Sequence, residues 1–307
     1  MEKVIVVIGP TSVGKTKMGV ALAKKFNGEV ISGDSMQIYK QMDIGTAKVT
    51  EEEKEGIIHH CVDILNSDET YSVHDFQQTV RKKITEITQR GHVPIIVGGT
   101  GLYIKAALYD YQFDEMENDH HAINEKYKDY TNEQLHDHLK SIDEESAKIL
   151  HFNNRRRVLR AIEIYETTGK RKSEMLEEQE HICLYDAYFV GLTLPRDVLY
   201  ERINKRVDVM VENGLKEEMD CLYSQGLTRN HQSMKAIGYK EWFDYYDHQI
   251  DLNDVLELIK KHSRQYAKRQ YTWFKNQFDV HWYDVNLENF EQTIEQVTDD
   301  IEKILKV

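Results

Sequence analysis

The chain has 307 residues, 40% hydrophobic and 30% charged, with aromatics at 10% and only 3 Pro. That length accommodates about two domains, or one domain carrying an insertion, and the balance excludes disordered and collagen-like classes. The net charge of −13 argues on average against a polyanionic partner, yet the charge is segregated: residues 288–302 are acidic and two other stretches are strongly basic.

No apolar run approaches a membrane span, and Met1-Glu2-Lys3-Val4 leads directly into a strand-like segment. Neither a membrane anchor nor a signal peptide is expected. Cys61, Cys183 and Cys221 are far apart and form no CxxC pair. A disulfide framework and a Cys-based zinc site are therefore not expected, and a reducing, cytoplasmic setting is.

Lys3 to Ile8 is a β-branched apolar run, the pattern of a buried parallel strand. A Gly-rich turn follows, then a helix from about Lys15 to Phe26. Val30-Ile31 reads as a second strand ending at Ser32-Gly33-Asp34. Tyr71 to Arg90 is an amphipathic helix with Phe76, Val80, Ile84 and Ile87 on one face. Pro94 to Val97 is a third strand, closed by Gly98-Gly99. Strands alternating with helices predict an α/β fold: a P-loop NTPase-like parallel sheet flanked by helices. Over 112–183 the strand signal disappears, and 132–140, 144–150 and 154–168 read as helices, the last ended by Gly169. This span is expected to be a helical insertion within an α/β core formed by 1–111 and 184–307. Tyr188 to Leu194 is strand-like again. Beyond Pro195 come helices over 198–213, 215–225, 234–246 and 252–276, a strand at 280–283 and a helix over 290–307.

Gly9-Pro10-Thr11-Ser12-Val13-Gly14-Lys15-Thr16 matches G-x-x-x-x-G-K-[ST] between a buried strand and a helix. Glycines let backbone amides curl around an anion, and the helix start adds partial positive charge. Lys15 supplies a cation, and the Thr16 hydroxyl is placed to coordinate Mg²⁺. This fixes a di- or triphosphate ligand but not the reaction.

Asp34-Ser35-Met36-Gln37 follows the second strand, and strand C-terminal ends face the ligand crevice of an open parallel sheet. Asp34 can be a turn or N-cap residue, a group behind a metal ion, or a general base. Asp43-Ile44-Gly45-Thr46-Ala47-Lys48 is a second polar turn able to reach the ligand. Gly98-Gly99-Thr100-Gly101 ends the third strand on the same edge.

In this order and spacing, GPTSVGKT, DSMQIYK, DIGTAK, HHCVDI, YSVHDF and VGGTGLY resemble the bacterial tRNA dimethylallyltransferases. NNRRRVLRAIEIYETTG, RINKRVDVM, MKAIGYKE and YAKRQYTWF extend the likeness over nearly the whole chain. The resemblance implies transfer of a dimethylallyl group from its diphosphate to N6 of the adenosine 3′ to the anticodon. It implies that Gly9 to Thr16 hold pyrophosphate, with Mg²⁺ on Thr16. It further implies Asp34 as general base, Thr100 where base and donor meet, and Arg206 against the leaving pyrophosphate. The anticodon stem-loop is implied to lie on Asp34, Ser35, Met36, Gln37, Arg156, Arg157, Arg160, Lys235, Gly238, Tyr239 and Lys240. A monomer acting in the cytoplasm, away from membranes, is the expectation.

The basic stretches suit this partner. Arg155-Arg156-Arg157 with Arg160, then Lys170-Arg171-Lys172, form one; Lys260 to Lys275, which contains no acid and interleaves aromatics, forms the other. Trp273 and Phe274 are expected in the core, and His59-His60-Cys61 lacks the ligand spacing of a metal site. Two positions depart from the family pattern: Val49 stands for Pro, and His151-Phe152-Asn153-Asn154 for His-Pro-Asn-Asp. Three alternatives stay open. A free-nucleotide isopentenyltransferase would not need the arginine-bearing insertion. A small-molecule kinase would need an adenine site that no motif supplies. A non-catalytic RNA-binding module would not need Asp34 and Arg206 beside a phosphate loop.

Overall fold

In a computed structural model of the chain, the described residues are 1–111, 120–177 and 181–305. They run β1 (Lys3–Ile8), α1 (Lys15–Lys25), β2 (Gly28–Ser32), α2 (Glu51–Lys54), β3 (His59–His60), α3 (Val73–Gln89), β4 (Val93–Val97), α4 (Gly101–Leu108). Next come α5 (His120–Lys126), α6 (Asn132–Ile142), α7 (Glu144–Ile149), α8 (Arg155–Thr168) and α9 (Lys172–Glu177). The chain closes with β5 (Asp186–Thr193), α10 (Arg196–Glu212), α11 (Leu215–Ser224), α12 (Trp242–Tyr246), α13 (Leu252–Gln277), β6 (His281–Asp284) and α14 (Phe290–Leu305).

The six strands form one sheet in the order β3-β2-β4-β1-β5-β6, and every pairing is parallel. β4 lies between β1 and β2, so strands consecutive in sequence are separated in space. That crossover is the topological switch point at which open α/β sheets bind ligands. The inner strands β2, β4, β1 and β5 are largely apolar because both faces of the sheet are covered there. Val4, Val6 and Ile8 of β1 join a layer with Phe76, Val80 and Ile84 of α3. Ile5 and Val7 face the opposite layer, with Met18 and Leu22 of α1 and Val297 and Ile301 of α14. Ser72 and Asp75 form a capping box that starts α3.

The chain divides into two compact units, Met1–Tyr109 with Cys183–Val307, and Asp110–Ile182. Gln112, the first residue of the expected insertion, lies outside the described residues. The second unit has its own core of Ile123, Leu135, Leu139, Val158 and Ile162. Buried Asp143 caps α7 through the Ser146 amide at 3.0 Å and holds Ser173 by its amide at 3.1 Å and hydroxyl at 2.7 Å. α8 ends at Gly169, whose φ of 72° is the left-handed conformation of a helix stop.

Two expectations need correction. The expected helix over 234–246 is broken: Ser233–Lys235 is one 3₁₀ turn, Ala236 is extended, Gly238 has φ 98°, and only Trp242–Tyr246 is α-helical. Gly238 was the local sign of that break. β3 went unread because it is a two-residue, polar edge strand. It accounts for the histidine pair: His60 Nε2 sits 2.6 Å from the buried Glu29 carboxylate, which Arg90 also grips at 2.7 Å.

Candidate active site

Three turns at the C-terminal edge of the sheet, with helix α10, build one cleft. Leaving β1, the backbone takes φ values of 144° at Gly9, 65° at Ser12 and 103° at Gly14 before α1 begins. Left-handed conformations at Ser12 and Gly14 curl the loop so that amides can converge on an anion. A non-glycine residue held at such a φ is a mark of a constrained functional turn. The Ser12 hydroxyl is buried without a hydrogen-bond partner, a donor available to a ligand oxygen. Lys15 Nζ meanwhile folds back onto the carbonyls of Gly9 at 3.1 Å and Pro10 at 2.8 Å.

The loop after β2 carries Asp34. Its Oδ1 accepts the Met36 amide at 2.9 Å, a local Asx-type turn. The loop after β4 meets it: Thr100 Oγ1 accepts the Ser35 amide at 3.1 Å and donates to Ser35 Oγ at 3.3 Å. Arg206 projects from α10 into the same cleft. The cavity, about 350 Å³, is lined by Thr11, Ser12, Asp34, Arg206, Lys235 and Lys240 among others.

Its electrostatics are those of an anion site. Burial pushes Lys15 down to about 7, with Arg206 pushing the same way and Asp34 opposing. Burial likewise lowers Arg206, opposed by Asp34. Two desolvated cations side by side are costly until a polyanion joins them. For a metal, the donor set is lean: Thr16 offers one half-buried hydroxyl. Among the described residues, no group of three His, Cys, Asp or Glu could hold an ion. This set fits magnesium carried on phosphate oxygens and water rather than a protein cage.

The family model for IPP transferase matches residues 37–277. This chain belongs to the IPP transferase family. A tRNA dimethylallyltransferase from Bacillus cereus (strain AH187) is 54% identical over 92% of this chain and 90% of its own length. The Bacillus anthracis enzyme of that name is 53% identical, over 92% and 91%. Among solved structures, the Staphylococcus epidermidis tRNA delta(2)-isopentenylpyrophosphate transferase superposes with TM-score 0.74 at 47% identity, covering 99% of both chains. A eukaryotic dimethylallyltransferase acting on tRNA gives TM-score 0.86 at 33% identity, over 99% of this chain and 79% of that one.

Within this family member, the core residues expected at the site converge: Gly9 to Thr16, Asp34 to Gln37, Thr100, Arg206, and the Lys235–Lys240 turn. Three of them turn their side chains into the fold. Val13 is buried in the core, so only its backbone serves the loop. Gln37 spends its side chain inside the fold, accepting from Ser32 Oγ at 3.0 Å and donating to the Ala47 carbonyl at 3.3 Å. Tyr239 is fully buried and its hydroxyl donates to Glu218 at 2.6 Å. Its ring lies against Gly45, where an added Cβ would sit 2.6 Å away. Tyr239 was expected against RNA, but its side chain is a buried wedge between two loops and is not open to a partner. Lys235 and Lys240, on either side, are exposed.

In the second unit, Arg156 and Arg157 are exposed on the first turn of α8, and that turn has no acid. Cations at a helix N-terminus oppose the macrodipole, a local cost that a phosphate ligand removes. Arg160 is instead ion-paired with buried Glu163 at 2.8 Å.

One residue of the site escaped the motifs, and two others lay inside YAKRQYTWF with no role given to them. Glu218 of α11 accepts the amides of Asp43, Ile44 and Gly45 at 2.8, 2.8 and 3.1 Å, fixing the second polar turn. Nothing in sequence marks it. Tyr266 of α13 lines the cleft and donates to the Gly99 carbonyl at 3.3 Å. Burial pushes its phenol up to about 12, and Asp34 adds to the rise. Gln270, one turn on, is buried, and it did carry a signal: it lies on the apolar stripe Ile259, Ala267 and Phe274.

Proposed function

We propose that this chain is a tRNA dimethylallyltransferase. It moves the dimethylallyl group of dimethylallyl diphosphate to N6 of the adenosine 3′ to the anticodon, position 37 of certain tRNAs, giving N6-dimethylallyladenosine and diphosphate. The observation that carries this reading is one carboxylate, Asp34, sharing a cleft with Arg206 and, close by, Lys15. The carboxylate suits the acceptor amine; the cations suit the leaving group.

In the proposed step the N6 lone pair forms the C–N bond at C1 of the allyl group. The C1–O bond breaks, its electron pair leaves with diphosphate, and Asp34 takes the N6 proton. A positioned base is worth about 10²–10⁴-fold. Lys15 and Arg206 offset charge that grows on the departing oxygens in a site shielded from water. Thr16 would hold magnesium with the diphosphate, and the ion would supply further neutralisation there. Thr100 and Ser35 hold the Asp34 turn in place. The adenosine must leave its stack to enter so narrow a cleft, at a cost of a few kcal/mol that a loop nucleotide reduces.

Arg156, Arg157, Lys235 and Lys240 are the exposed cations we assign to the anticodon stem-loop, with Ser35 and Met36 at the base itself. We take it to act as a cytoplasmic monomer; its three cysteines are free, the form a reducing compartment keeps. The test is incubation with labelled dimethylallyl diphosphate, Mg²⁺ and either bulk tRNA or AMP. Label on tRNA is expected. Label on AMP alone, or phosphate transfer from ATP with no prenyl transfer, would overturn the reading.

A further inference from the structure

Gln270 stands in the middle of α13 and is only 5% exposed. A buried primary amide must satisfy both its donor and its acceptor. Here Oε1 accepts the Thr11 amide at 3.0 Å, and Nε2 donates to the Gly99 carbonyl at 3.0 Å. Each partner belongs to a different loop of the cleft. Thr11 is in the loop that receives the diphosphate. Gly99 adjoins Thr100, whose hydroxyl fixes Ser35 beside Asp34. Gly99 is shaped to this contact, since a Cβ there would lie 2.2 Å from Nε2.

We propose that Gln270 is a positioning residue that sets the separation between the leaving-group loop and the acceptor-base loop. The inference rests on the prenyl-transfer reading above. Attack on C1 needs the amine and the departing oxygen held in line, with reacting atoms about 3–3.5 Å apart, and a misplacement of about 1 Å can cost 10²-fold. One rigid amide joins the backbones that carry the two ends. No other side chain of this length offers one donor and one acceptor in a plane. Glutamate cannot donate to Gly99, methionine fills the volume but makes neither bond, and asparagine is one methylene short.

A cleft with its loops out of register still ionises the allylic diphosphate but leaves C1 open to solvent. With the C1–O electron pair gone to diphosphate, water adds to C1 and loses a proton to solvent, giving dimethylallyl alcohol and diphosphate. The readout is therefore coupling: diphosphate released per dimethylallyl group placed on tRNA, measured with labelled donor. Wild-type protein is expected near one. Gln270→Met and Gln270→Glu are expected to lose about tenfold or more in kcat and to raise the ratio severalfold. Gly99→Ala, which pushes the amide away from the other side, should uncouple in the same direction. Gln270→Asn should fall in between. Thermal melting scales each rate to the folded fraction. Variants that lose rate while the ratio stays near one, or whose rate falls only with the folded fraction, would overturn the assignment. Failure of wild-type protein to prenylate tRNA at all would sink the function reading instead, and the two failures are told apart by the wild-type arm alone.

Discussion

The cleft and the helical unit carry their positive charge in opposite ways. In the cleft, Lys15 and Arg206 are desolvated and both feel the Asp34 carboxylate, and burial has shifted both. In the helical unit, Arg156 and Arg157 stand in solvent on one helix turn. The same charge does different work in these settings. Desolvated cations act at short range in low dielectric, where each is worth kilocalories on a developing anion. Exposed cations are screened within about 8–10 Å at moderate salt, so they suit reversible grip on a phosphate backbone. Perturbing the first should change chemistry, and perturbing the second should change affinity.

The sharpest break of that comparison is at Asp34. Asp34→Asn keeps an oxygen for the Met36 amide and so preserves the turn, but it removes the proton acceptor. Turnover should fall by about 10²–10⁴-fold with tRNA affinity nearly unchanged. Single-turnover rates alongside filter binding measure both. A variant that binds tRNA and turns over at the wild-type rate would leave Asp34 as a turn residue only.

A smaller effect, with a definite sign, comes from Lys15. Its ordinary value is 10.5, and burial beside Arg206 brings it to about 7. In free protein above pH 7 the amine is thus largely neutral, and a bound diphosphate restores the ammonium. Between those two values, binding takes up a proton and affinity should fall about tenfold per pH unit. Stability of the ligand-free protein moves the other way. Its folded state binds fewer protons than the unfolded chain in this window, so stability rises with pH. Calorimetry with inorganic diphosphate at pH 8.5, in buffers of different ionisation enthalpy, reads the uptake. Lys15→Met should abolish the Lys15 share of it, and equal uptake in both proteins would reject the assignment.

The loops of the cleft were legible because backbone requirements wrote them. Gly14 opens α1 at a φ of 103°, a conformation that favours glycine, and Gly99 leaves room for the Gln270 amide. The four inner strands were legible as apolar runs, because a sheet covered on both faces has no polar side to interrupt them. What stayed hidden depends on long-range partners. Glu218 reads as an ordinary helix-surface acid, and its three amide donors lie 173 to 175 residues away. Tyr239 was expected against RNA because the resemblance places the Lys235–Lys240 turn there, yet the turn at Gly238 sends its ring inward against Gly45. Gln270 sits between these cases. Its place on an apolar stripe was visible, but the two loops it joins were not.

The helical unit gives the mildest effect and the cleanest contrast. Arg156→Ala with Arg157→Ala should leave turnover at saturating tRNA close to wild type, since neither is part of the cleft lining. Affinity for tRNA should weaken by about tenfold at low salt, on the order of 1.4 kcal/mol, and by less as salt rises. The slope of log affinity against log salt should shrink by roughly 0.7–0.9 for each phosphate contact removed. Arg160 is the internal control. Its guanidinium is held by buried Glu163, so Arg160→Ala would strip a partner from a buried carboxylate and show as lost stability. An unchanged salt slope in the double variant would mean that the arginines on the first turn of α8 oppose their own helix dipole for some reason other than RNA.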